Sequence, residues 1–239
     1  FQPLQEMVTV TDRFFWNQQI WSRLLTQILE ESPQVIGVTF FFGENIRPIS
    51  RPSQLPPVFD HEKIVWGASL DSEGRVLQPV FSSHYNYNVG LIRIPKDDDG
   101  IVRRIESPLL QIPHLAIRLA NRAREGRSEG PLLPEGHDLI NYRGPTGTFP
   151  RVRLSQVLAG TYPKDYFKDK VVIIGSSDAR NQIYQTPLGA MSRAEIVANM
   201  VDTIYKGRWT SHLDRFPAAI YLLLILTVGI WLMSSYPQS

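Results

Sequence analysis

"KVVIIGSSDARNQIYQTPLG", Lys170 to Gly189, sets an apolar, β-branched run against a glycine and a string of small polar residues. Val171 to Ile174 read as a strand buried on both faces, because nothing polar interrupts them. Further on, Ser192 to Tyr205 read as a helix. In open α/β sheets, ligands sit in the crevice outside the carboxyl ends of such strands. Neither G-x-G-x-x-G nor G-x-x-x-x-G-K-[ST] is present, which excludes the usual dinucleotide and P-loop cradles. A nucleophile elbow needs G-x-S-x-G; Ser177 stands at the right offset from Gly175, but the closing glycine is missing. More than ten residues separate strand from helix, so no helix N-terminus is expected directly over the loop. Two readings remain. Ser176, Ser177, Asp178 and Arg180 form a ligand-binding loop, or they are only a surface connection of small residues.

Working outward, Trp16 to Glu31 carry Ile20, Leu24, Leu25, Ile28 and Leu29 at helical spacing, and Pro33 stops the run. "VIGVTFFF", Val35 to Phe42, predicts a strand buried on both faces, and "KIVWGASL" a second one. Val89 to Leu110 place two strand-like runs around Pro95-Lys-Asp-Asp-Asp-Gly100, the pattern of a hairpin with a glycine-closed turn. His114 to Arg127 predict a helix with a basic outer face, and "LINYRG" a short strand. "RLSQVLAG" predicts a short helix with Ser155 as a cap-like residue and Gly160 as its stop. Strands and helices alternate at both ends with a hairpin between. The fold class is therefore α/β: a mostly parallel sheet flanked by helices, with an inserted β-hairpin.

Net charge is +2, from 25 basic and 23 acidic residues, and no basic run is concentrated enough for nucleic acid. Cysteine is absent, which removes disulfides, thiolate metal sites and cysteine nucleophiles together. No histidine pair has metal spacing, and three adjacent aspartates at 97–99 cannot all point into one calcium loop. No metal or cofactor is expected, and no catalytic constellation. Arg118, Arg122, Arg124 and Arg127 could meet anionic lipid or a partner; such a face is more often simply solvated.

One segment leaves the globular pattern. "FPAAIYLLLILTVGIWLM", Phe216 to Met233, carries no charge for 18 residues, with Tyr221 and Trp231 towards its ends. That predicts a transmembrane helix. The opening "FQPLQEMVTV" has no charged-then-apolar leader, so the chain is expected to begin downstream of a signal peptide or another anchor.

Three stretches in series carry a family pattern. They are "VGLIRIPKDDDGIVRRIES", "LINYRGPTGTFPRVRLSQVLAG" and "FKDKVVIIGSSDARNQIYQTPLGAMSRAEIVANMVDTIYKG". In order and spacing they resemble the CHASE2 domain. The resemblance implies an extracytoplasmic sensor module of a bacterial receptor, residues 1–212. Transmembrane helices would follow, of which 216–233 is the first, and then a cytoplasmic output such as a cyclase or kinase. The family-like positions are Gly90, Asp97, Asp99, Gly100, Arg103, Arg104, Asn141, Gly144, Gly175, Thr186, Pro187, Gly189, Glu195, Asn199 and Asp202. Most look structural, Glu195 and Asn199 sharing one helix face; Asn141 joins the loop residues as a candidate ligand contact. The chain departs from the pattern where members usually have an aspartate (here Thr39). It departs again where they carry an acidic residue before T-P (here Asn181, Gln182 and Ile183), and where they carry Pro-Gly before the glutamate (here Arg193-Ala194). A site for a cation would lose carboxylates by the first two changes.

Lys206, Arg208 and Arg215 precede the apolar run and no charge follows it, which by the positive-inside rule alone would place the domain in the cytoplasm. The reading follows the resemblance instead: a non-enzymatic, extracytoplasmic sensor in the bacterial inner membrane, forming a homodimer. It would bind a small molecule or an envelope protein and no nucleic acid. Its rivals are a membrane-anchored hydrolase, for which Ser177 is the one plausible nucleophile, and an envelope assembly protein.

Overall fold

The computed structural model describes residues 18–43, 56–79, 88–105, 112–124, 139–176, 183–208 and 215–235. The chain divides into two compact units, Phe1–Trp209 and Thr210–Ser239.

In the first unit, α1 (Gln18–Glu30) precedes β1 (Val35–Phe41) and β2 (Ile64–Leu70). Two short strands follow, β3 (Val76–Leu77) and β4 (Val89–Leu91), then α2 (Leu115–Arg124) and α3 (Leu154–Ala159). The unit closes with β5 (Val171–Ile174), β6 (Ile183–Thr186), β7 (Gly189–Ser192) and α4 (Arg193–Lys206). β4, β2, β1 and β5 lie side by side and parallel, with β3 antiparallel to the end of β2.

Both faces of the central strands β1 and β2 are covered, which is why they read as unbroken apolar runs, whereas β5, expected to be buried on both faces, is an edge strand and only half-buried. Residues of β1 alternate between two cores. Val35 and Phe41 pack with Val65, Leu115, Leu119, Ile196 and Met200, beneath α2 and α4. Ile36, Val38, Phe40 and Phe42 pack with Trp21, Leu25, Phe59 and Trp66, beneath α1. Trp21 meets Phe42 edge-on at 5.2 Å, and the buried Trp66 indole donates to the Phe59 carbonyl at 2.9 Å, so the second core is largely aromatic.

Several expectations are corrected. The stretch 89–105 makes a turn but no hairpin ladder among the described residues. Asp97 and Gly100 close the turn through Asp97 N–H to Ile101 C=O (2.9 Å) and Gly100 N–H to Asp97 C=O (2.8 Å). Pro95 has no N–H to give a ladder, and the second arm is taken up elsewhere. Val102 N–H donates to Gln185 C=O, and Ile140 N–H to Arg103 C=O. The antiparallel hairpin lies instead at β6–β7, in register Ile183↔Ser192 to Thr186↔Gly189. "LINYRG" contributes one bridge, Arg104↔Leu139, rather than a strand. α3 is capped by Arg153, whose N–H donates to the Gln156 side chain at 3.0 Å; Ser155 is already inside the helix.

The basic face of α2 is fastened, not solvated. Arg118 donates to Val89 C=O, Arg122 to Glu62 C=O and the Asn88 side chain, and the buried Arg124 to Tyr205 C=O. Arg127 lies outside the described residues.

In the second unit, α5 (Arg215–Ser235) contains the uncharged run. The transmembrane helix expected at 216–233 finds no support here: among the described residues, no helix is long and apolar enough to cross a membrane. The described side chains of α5 begin at Ile220, and all of them to Ser234 are exposed.

Candidate functional site

At the carboxyl end of the sheet, β1, β5 and the first turn of α4 converge on one point. The Thr39 hydroxyl donates to Ile174 C=O at 3.1 Å. A methyl group at Gly175 would lie 2.6 Å from that hydroxyl and 2.6 Å from the Ala194 side chain. Only glycine fits there. A helix N-terminus therefore does abut the strand end, contrary to the sequence expectation, because the β6–β7 hairpin folds the intervening chain back on itself. Arg193, the first residue of α4, lies over this junction. Its guanidinium donates to Thr39 C=O (3.4 Å) and the Tyr184 hydroxyl (3.0 Å), and stands 5.9 Å from the centroid of that ring. Lys96 stands 5.4 Å from the same ring.

Of the predicted ligand contacts, Ser176 is half-buried immediately after Gly175, while Ser177, Asp178 and Arg180 lie outside the described residues. Asn141 is elsewhere. Its backbone N–H donates to the Thr203 hydroxyl at 3.1 Å, nine residues beyond Ala194, or about 13 Å further along the helix. The structure does not bring Asn141 and Ser176 together. The sequence reading missed Lys96 and Tyr184 altogether and noted Arg193 only as a departure from pattern.

A second polar constellation runs down α4. Glu195, Asn199 and Thr203, spaced four apart, are all buried on one face. Each is bonded to the segment 141–151. The Glu195 carboxylate accepts from Gly147 N–H (2.6 Å) and the Thr146 hydroxyl (2.7 Å) and pairs with Arg151. Asn199 Oδ1 accepts from Arg143 N–H at 2.9 Å. Burial alone would raise the Glu195 carboxyl, but the Gly147, Thr146 and Arg151 donors outweigh it and hold it below its ordinary value. Ser192 caps the helix while Glu195 reaches back to it, a capping box.

The 97–104 turn is an ion-pair knot. Arg103 donates to both Asp97 (3.0 Å) and Asp99 (2.7 Å), and Arg104 to Asp97 (2.9 Å). The Arg103 guanidinium, helped by Ile101 N–H, lowers the Asp99 carboxyl to about 2. Among the described residues, no group of histidines and carboxylates could hold a metal ion. A groove of about 680 Å³ follows α1, but seven of its eight lining residues come from that one helix, so no second element supplies convergent groups.

The turn around Asp97 and Arg103, the Glu195 ladder and the Gly175 junction carry the three family stretches. The profile of the CHASE2 domain matches residues 4–235, nearly the whole chain. The chain belongs to the CHASE2 family. No curated protein and no solved structure matches it. CHASE2 is a family of extracytoplasmic sensor domains, not of catalysts. In this CHASE2 domain, Thr39 and Arg193 touch one another. The hydroxyl of Thr39 is spent on Ile174, and its carbonyl receives Arg193.

Proposed function

We propose that this CHASE2 domain is the extracytoplasmic ligand-sensing part of a bacterial transmembrane receptor, passing its signal to a cytoplasmic cyclase or kinase. The observation that carries the reading is the placement of α4. Its first turn abuts the carboxyl ends of β1 and β5, and its last residue leads through Gly207 towards the uncharged run 216–233. Binding at the sheet edge would act on the start of a helix whose far end enters the connector. The proposed span at 216–233 rests on its 18 uncharged residues alone. In a homodimer, ligand would favour one of two arrangements, and only by its differential affinity for them.

Gly207 is the test. It closes α4 in the left-handed region at φ 62°, and its N–H donates to Ile204 C=O at 3.1 Å. Proline can neither adopt that φ nor donate. Gly207→Pro is expected to disconnect output from stimulus in the intact receptor while the sensor domain stays folded, its thermal midpoint lowered by the loss of one helix cap. Wild-type signalling from the variant would refute the coupling route.

A further inference from the structure

Resting on the sensory reading, we propose that Arg193, Lys96 and Tyr184 form a site for a small oxyanion, a carboxylate- or phosphate-bearing solute, at the carboxyl edge of the sheet. Both cations lie over one ring, at 5.9 and 5.4 Å from its centroid. Neither has a carboxylate partner among the described residues, and two of the carboxylates near them in sequence are committed elsewhere. Asp97, beside Lys96, is held by Arg103 and Arg104. Glu195, two residues from Arg193, is held by Arg151, the Thr146 hydroxyl and Gly147 N–H. His114, within electrostatic reach of Arg193, is neutral. Among the described residues, no carboxylate is paired with either cation.

The hydrogen bonding of Arg193 is also incomplete. Its guanidinium is half-buried and makes one long bond to a carbonyl and one to a phenol, both neutral acceptors. Its Nε is shielded from solvent with no acceptor among the described residues. A guanidinium fork is built for two parallel bonds to carboxylate or phosphate, and these are about twice as strong as neutral ones. An arriving oxyanion would replace the Thr39 carbonyl and the Tyr184 hydroxyl as the partner of Arg193. The attraction does not come from the bare helix end, since Ser192 and Glu195 already cap α4. Because Arg193 is the first residue of α4, exchanging its partner changes what anchors that helix to β1.

The experiment is thermal unfolding of the purified full chain, followed by tryptophan fluorescence, in titrations of sodium phosphate, sodium succinate and sodium chloride at matched ionic strength. Phosphate or succinate should raise the midpoint and chloride should not; which of the two acts identifies the chemical class. Arg193→Gln should weaken that response about tenfold or more. Lys96→Gln, at an exposed position where folding is not at stake, should weaken it about threefold. A flat response to both anions, an equal response to chloride, or an undiminished response in Lys96→Gln would overturn the site, the last even where Arg193→Gln fails to fold. Failure of the sensory reading looks different: phosphate or succinate binds the purified chain and receptor output ignores it.

Discussion

Replacing Glu195 with alanine should destabilise the domain by about 3 kcal/mol, because it orphans several buried donors in one step. Glu195 is 6% exposed and accepts from Gly147 N–H, the Thr146 hydroxyl and Arg151. Arg151 is half in solvent and can rehydrate, so the loss falls mainly on the Gly147 and Thr146 donors and on the capping box with Ser192. Glu195→Gln keeps an acceptor for Gly147 but loses the charge, and should cost about 1 kcal/mol. The pH dependence follows from the same geometry. A carboxyl held below its ordinary value of 4.5 contributes stability above that pH and loses it as pH falls through the lowered value. The alanine variant should therefore lack that acid limb. Urea unfolding of the purified chain measures both. An alanine variant within about 0.5 kcal/mol of wild type, the range of ordinary surface changes, would show that segment 141–151 is held by something other than this carboxylate.

What sequence could show here was whatever is fixed locally. The strand Val171–Ile174 lies where the apolar run placed it, and α4 starts one residue after Ser192 because a capping residue followed three positions on by glutamate is a local signal. The β6–β7 hairpin escaped, since its arms are four residues each and its turn holds Pro187-Leu188 rather than an asparagine-glycine pair. Missing that hairpin hid the meeting of Gly175 with Ala194, and with it the place of Arg193. Arg122 and Arg124 illustrate a second limit. A basic stripe on a helix looks the same in sequence whether it faces water or neighbouring carbonyls, and long side chains reach partners 34 and 81 residues away. The Glu195–Asn199–Thr203 stripe had the period of a helix face, yet its partner segment comes from some 50 to 60 residues earlier in the chain. The family pattern placed Asn141 among the candidate ligand contacts, and tertiary structure shows it bonded to Thr203 through its backbone.

His114 should make stability fall between pH 6.5 and pH 4, by about 3 kcal/mol across that window. The ring is buried at the start of α2. Its Nδ1 accepts from Ala116 N–H at 3.1 Å, which leaves the proton on Nε2 to donate to Arg93 C=O at 2.9 Å. Protonation would cost the Nδ1 cap, place a positive charge at a helix N-terminus and set it within reach of Arg193. Burial, the larger cause, and the Arg193 charge lower the group to about 4, against the partial support of the Arg93 carbonyl. With the folded value below the unfolded one, only the unfolded chain takes up the proton between the two. Stability is therefore intact above pH 6.5 and progressively lost towards pH 4. The carboxylates of Asp99, held low by Arg103, and of Glu195, held low by Gly147 and Thr146 with Arg151, act at lower pH and leave the upper part of the window to histidine. His114→Asn retains a side-chain oxygen to cap the helix and removes the titration. Unfolding measured at pH 7, 6 and 5 should slope downward for wild type and stay level for the variant. Equal slopes in the two proteins would mean that another group carries the acid sensitivity and that the ring already takes up its proton in the folded state.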